Sequence, residues 1–134
     1  MNKTTIKEES IVLTLPVNSA YISAARLIAS SIANRLTFDI DEIEDIKSAV
    51  SEACTYLIKK LPCNTRTNFQ LIFHTKQDKL EIELSANYII KQETMEKEMS
   101  LLMINALMDD CSLSGGMNKF TINMVKNHKQ NSFH

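Results

Sequence analysis

Asp41-Glu42-Ile43-Glu44-Asp45-Ile46-Lys47-Ser48-Ala49-Val50-Ser51-Glu52-Ala53-Cys54-Thr55 is the stretch on which the fold turns. Its apolar residues Ile43, Ile46, Val50 and Ala53, continued by Leu57, Ile58 and Leu61, recur at helical spacing and form one stripe. The other side carries Lys47, Ser51, Glu52 and Thr55, so the segment reads as an amphipathic helix with one covered and one open face. Asp39 stands three residues before Glu42, and Asp41 three before Glu44. Carboxylates so placed cap the free N–H groups and sit at the positive end of the helix dipole, so the helix starts near Asp39. Pro62 and Asn64 close it.

Toward the N-terminus, Ile11 to Val17 is β-branched and apolar and reads as a strand, with Pro16 marking its end or an edge position. Asn18 and Ser19 are both helix-capping residues, and Ile22, Ala25, Leu27, Ile28, Ile32 and Leu36 then give an apolar helical stripe. Toward the C-terminus, Asn68 to Thr75 and Lys79 to Ser85 form a hairpin about Lys76-Gln77-Asp78, and the alternation in Leu80-Glu81-Ile82-Glu83-Leu84 gives one dry and one wet face. A third helix is expected from about Thr94 to Met108, with Met95, Met99, Leu102, Met103, Ala106 and Leu107 on its apolar side. Asp109 to Leu113 and Lys119 to Val125 make a last hairpin around Ser114-Gly115-Gly116-Met117, where the chain's two glycines would supply a turn's positive φ; an anion nest is the rival reading of that pair.

Strand, helix, helix, two strands, helix, two strands is the order of an α+β chain. Helices apolar on one stripe must cover one face of a sheet, which gives a two-layer sandwich. The Gly-rich turns of a dinucleotide-binding fold are missing. At 134 residues one domain, 1–134, accounts for the chain, with 1–9 and 126–134 expected to fray.

Fifteen Lys and Arg against 16 Asp and Glu leave a net charge of -1, which argues against nucleic acid or an anionic membrane as partner. Met1 to Ser10 is polar, no apolar run is long enough to span a bilayer, and a cytoplasmic location is expected. Cys54, Cys63 and Cys111 are widely spaced and read as reduced thiols; Cys54 is a candidate nucleophile only on the strength of its nearness to Glu52, without a histidine beside it. His74, His128 and His134 are scattered, so no metal site is expected.

The Asp41 to Thr55 stretch resembles the N-box helix of the anti-sigma-factor serine kinases, members of the GHKL, or histidine-kinase-like, ATPase superfamily. Strand one, the Asn18 to Leu36 helix with Arg26, and Leu107-Met108-Asp109-Asp110 match that family's pattern more loosely. The resemblance implies a Bergerat-type sandwich, its mixed, mainly antiparallel sheet covered on one face by three helices. It also implies a protein partner, a sigma factor or its antagonist, and self-association. In the family such a partner is phosphorylated on serine at the expense of Mg-ATP.

Carried over residue by residue, the resemblance makes Glu52 the general base toward the attacking hydroxyl. The Mg²⁺-holding Asn expected one turn later is Tyr56, a poor ligand for a hard cation. Ser85-Ala86-Asn87-Tyr88 stands in the region where the family has its adenine-anchoring Asp-x-Gly, with no carboxylate and no glycine, so Ala86 and Tyr88 are degenerate positions of that motif. Residues 89–101, in place of a glycine-rich lid, contain no glycine and include Glu93, Glu96 and Glu98, which repel a triphosphate. Contacts of this kind contribute roughly 2–3 kcal/mol each. Losing three removes about the 8 kcal/mol of a micromolar complex. The expectation is a regulatory protein-binding module without confident cofactor, with Arg26 facing the partner; an active ATP-dependent kinase using Glu52 is the alternative.

Overall fold

A computed structural model describes residues 8–61, 68–88, 99–116 and 118–128. Strand β1 (Glu9–Pro16) leads into a single 3-10 turn, Ser19–Tyr21, capped by the Asn18 side chain, which accepts from the Ala20 N–H at 2.9 Å. Helix α1 (Ile22–Arg35) follows, then α2 (Ile40–Lys60), the hairpin β2 (Asn68–Thr75) and β3 (Lys79–Ala86), helix α3 (Met99–Leu107), and the hairpin β4 (Asp110–Gly116) and β5 (Lys119–Asn127). The sheet runs β1-β2-β3-β5-β4. All four pairings are antiparallel, so the sheet of the described residues is not mixed as the resemblance implied. Pro16 lies at the end of an edge strand, where a missing N–H leaves no ladder bond unmade.

The three helices lie side by side on one face, α2 between α1 and α3. Inward residues Leu71, Phe73, Leu80, Ile82, Leu84, Phe120, Ile122 and Met124 of the sheet meet Ile46, Ala49, Val50, Ala53 and Leu57 of α2 in one core. Period-two alternation along β2, β3 and β5 turns Gln70, His74, Glu81, Glu83 and Asn123 to the other face.

Where α1 packs, the structure departs from the expected stripe. Ala25, Ala29 and Ala33, four residues apart, are fully buried, whereas Leu27 is 70% exposed. Small side chains let α1 approach its neighbours closely, and the larger apolar residues flank that seam. Helix α3 departs the same way. Leu101, Ile104 and Met108 are buried, while the expected core residues Leu102, Met103 and Ala106 are exposed. Its expected first turn, from Thr94, and Met95 lie outside the described residues, as do Pro62 and Asn64.

The last hairpin is longer than expected. Strand β4 continues through Gly115 and Gly116, neither of which has a positive φ; Asn118, at φ 60, takes the left-handed position. Asn tolerates that conformation because its short polar side chain can bond locally. The fraying expected from 126 is also corrected: Lys126 and Asn127 belong to β5. Lys126 is buried, donating to the Leu107 carbonyl at 2.7 Å, and His128 is tied to the α1–α2 loop. Residues 129–134 lie outside the described set.

Candidate functional site

Helix α2 carries most of the residues in question, and its N-terminus is built as the sequence implies. The Asp39 carboxylate accepts from the Glu42 N–H at 2.8 Å and the Glu42 carboxylate from the Asp39 N–H at 2.9 Å, a reciprocal capping box. Because α2 has the sheet beneath it and a helix on either side, more than its apolar stripe is covered. Glu42 is 4% exposed and its second carboxylate oxygen has no hydrogen-bond partner among the described residues. The capping role is legible from spacing; the burial comes from tertiary packing.

Glu52 is half-buried and makes no hydrogen bond or ion pair among the described residues. Tyr56, four residues on and so on the same helical face, is 2% exposed, with the Lys60 ammonium 5.4 Å from its ring centroid in a cation–π contact. Across the layer, Ala86 ends β3 on the inner face and is 3% exposed. Tyr88, two residues on, is 38% exposed. Glu52 and Tyr56 thus share one helix face, Ala86 belongs to the core, Tyr88 faces outward, and Glu93, Glu96 and Glu98 lie outside the described residues.

Tyr56 thus presents a buried aromatic ring and Ala86 a buried methyl group, neither of which offers a carboxylate or a compact oxygen donor for a metal. Cys54 is fully buried, and burial pushes its thiol up to about 12, so it is a packing residue that stays protonated at neutral pH. Cys111 is pushed up to about 11 by burial and, secondarily, by Asp110. Cys63 is outside the described residues.

Arg26 lies half-buried on α1 and makes no hydrogen bond or ion pair among the described residues. Its neighbour Leu27 is exposed, as is Tyr21 at the start of the helix. Arg26 thus lies on α1, next in sequence to an exposed leucine, and Glu52 and Tyr56 lie on α2.

Two side-chain groupings escaped the sequence reading because they join distant strands. On the sheet's outer face the Ser10 hydroxyl is 3.0 Å from His74 Nδ1, and His74 Nε2 lies 3.8 Å from Glu83. At the other end of that face, Thr14, Gln70 and Ser85 occupy one cross-strand row. With Asn68, Ala86, Asn87 and Lys119 they line an open polar cleft of about 500 Å³. No group of three or more potential metal ligands comes together among the described residues, and no helix among them is long and apolar enough to cross a membrane.

The sequence profile of the histidine kinase-like ATPase domain matches residues 15–126. Among curated proteins, serine-protein kinase RsbW of Bacillus cereus strain Q1 is 30% identical over 123 residues, covering 78% of this chain and 77% of its own length. RsbW of Bacillus mycoides is 30% identical over 125 residues, covering 80% and 78%. Among solved structures, the RsbU and RsbW domains of a Mycobacterium tuberculosis protein superpose with a TM-score of 0.69 at 13% identity, over 94% of this chain and 34% of that one. The chain thus spans about a third of that larger protein. A chain of the SiaB–SiaC complex of Pseudomonas aeruginosa gives 0.63 at 10% identity, over 86% of this chain and 88% of that one. At such low identity the two structures speak to fold alone.

Proposed function

This chain belongs to the histidine kinase-like ATPase family, on the branch of the anti-sigma-factor serine kinases, and from that premise we propose that it acts as a regulatory protein-binding module without phosphoryl transfer. The observation that carries the proposal is Tyr56. Its ring, 2% exposed, occupies the helical position from which a Mg²⁺-holding carboxamide would reach out of the N-box helix. A phenol packed into the core offers a hard octahedral cation no useful oxygen. Ala86, buried at the adenine-anchor position, supplies neither the acceptor for an exocyclic amine nor the open backbone that a glycine would. These residues do not fit Mg-ATP.

What is left is a surface. Arg26 with exposed Leu27 and Tyr21 combines a cation with apolar area, the composition of a protein-recognition patch. A sigma factor or its antagonist is the partner we assign to it. The second reading, an active serine kinase, rests on Glu52, which is half-buried on α2 and makes no hydrogen bond or ion pair among the described residues. The discriminating experiment mixes the purified protein with its captured partner and γ-labelled ATP. A stable complex with no phosphoserine is expected; partner phosphorylation abolished by Glu52→Gln would establish the kinase reading instead.

A further inference from the structure

On the face of the sheet turned away from the helices, one cross-strand row differs in kind from its neighbours. Thr14, Gln70, Ser85, Thr121 and Ser114 stand opposite one another from β1 to β4, and each is a neutral hydroxyl or carboxamide. The next two outward rows along the strands carry charge: one holds Glu83 beside apolar Val12 and Ile72, the other His74, Glu81 and Asp110.

Ser85 is the member of the neutral row that needs explaining. It is 6% exposed, and Thr121 beside it 8%, yet the Ser85 hydroxyl makes no hydrogen bond among the described residues. A hydroxyl withdrawn this far from water is ordinarily paired, because leaving it unpaired costs free energy. Ser85 instead opens onto the polar cleft of about 500 Å³, a volume that suits a small ligand. Gln70 is already oriented at the same place. Its carboxamide N–H donates to the Thr14 hydroxyl at 3.4 Å, which leaves the carboxamide oxygen as an acceptor.

Two residues along the chain from Gln70, Ser85 and Thr121 come Asn68, Asn87 and Lys119, which complete the polar lining. Neighbouring strands lie about 4.8 Å apart and alternate residues of one strand about 6.7 Å apart, so the lining forms a grid of donors and acceptors on the scale of a pyranose ring and its substituents. The described residues around the cleft include no carboxylate, so an amine finds no counter-charge there, and no aromatic ring on which a nucleobase would stack. Lys119 is the one cation among them and makes no ion pair with any described residue. One ammonium matches a single carboxylate and under-compensates a di- or triphosphate.

We propose that this cleft binds a sugar acid, with the carboxylate on Lys119 and the hydroxyls on Ser85, Gln70 and the two asparagines. The site lies across the sheet from Glu52 and Tyr56, and it stands apart from the protein-binding reading of the helical face.

Titration of the isotope-labelled chain with D-glucuronate, D-galacturonate and D-gluconate, followed by backbone amide shifts, tests this. At least one of the three should bind with a Kd on the order of 1 mM, the affinity expected of so small a ligand. The shifts should centre on Gln70, Ser85 and Lys119 and spare α2. D-glucose lacks the carboxylate and acetate lacks the hydroxyls, so each should bind at least about tenfold more weakly. Lys119→Ala, at an exposed position, should weaken binding about tenfold. Ser85→Val replaces the hydroxyl with a branched side chain suited to a strand and should abolish binding, the thermal transition of both variants verifying that folding is spared. No saturable shift with any of the three acids, an acetate or glucose constant equal to theirs, shifts centred elsewhere, or an unchanged constant for Lys119→Ala would each overturn the assignment.

Discussion

Thr37 shows what single residues contribute here. It sits at φ 65, a region where a β-branched side chain is strained, and joins α1 to α2 in a loop of only four residues. The strain is held in place from outside. His128 Nε2 lies 3.1 Å from the Thr37 hydroxyl and 3.2 Å from its carbonyl, and the ring packs on Phe38 at 5.1 Å. Thr37→Asn, which relieves the branch while keeping a polar side chain, should raise stability by roughly 0.5–1 kcal/mol, read as a higher urea midpoint. Cys54 gives a pH prediction with a definite sign. Its folded pKa of about 12 stands above the ordinary 9.0, so the unfolded chain loses this proton first. The contribution is complete below pH 9 and lost as pH climbs toward 12. At pH 8 iodoacetamide should leave Cys54 unlabelled until denaturant is added. At this scale Tyr56 and Ala86 were singled out only through the family resemblance, and their burial came from the structure. The burial of Glu42 and the anchoring of His128 were not legible in the sequence, since both depend on neighbours distant in it.

Elements held or shifted according to how they are stabilised. Helix α2 was legible almost to the residue because a capping box, a long stripe and a terminating proline all agree. Asp39→Ala removes the cap from Glu42, already nearly buried, and should cost about 1–2 kcal/mol. Leu57→Ala, at a fully buried position, should cost about 2–5 kcal/mol. Both are measurable as lowered midpoints in urea. Inward faces of α1 and α3 were harder to read. Helical spacing put Leu27, Leu102 and Met103 in the core, but helices that approach closely are seamed by small residues, and Ala25, which the stripe included, makes that seam with Ala29 and Ala33, which it did not. In the last hairpin, composition pointed to the glycines, whereas the turn was made by Asn118 and the glycines extended the strand.

For the molecule as a whole, element order and the one-sided helical layer followed from periodicity, while strand order did not. Placing β5 between β3 and β4 requires the final hairpin to insert its second strand against β3, a long-range pairing that local pattern does not encode. That placement lets Lys126 of β5 bind the Leu107 carbonyl near the end of α3 and reach Asp45 of α2 at 3.5 Å, linking sheet and helices through one buried cation. It also leaves β4 at an edge of the sheet. On the helical face, Arg26→Ala should weaken capture of a sigma factor or antagonist about tenfold or more with an unaltered thermal midpoint, as titration calorimetry would show. An unchanged constant would remove Arg26 from the partner surface.

The most direct test of the central claim is thermal unfolding with and without millimolar Mg-ATP. A ligand at 100 times its dissociation constant adds about 2.7 kcal/mol. In a domain of this size that amounts to a shift of several degrees. If Tyr56 and Ala86, both buried, take the metal and adenine positions as proposed, the two transitions should superimpose. A reproducible upward shift that needs both Mg²⁺ and ATP would contradict the proposal and restore the nucleotide to the function of this fold.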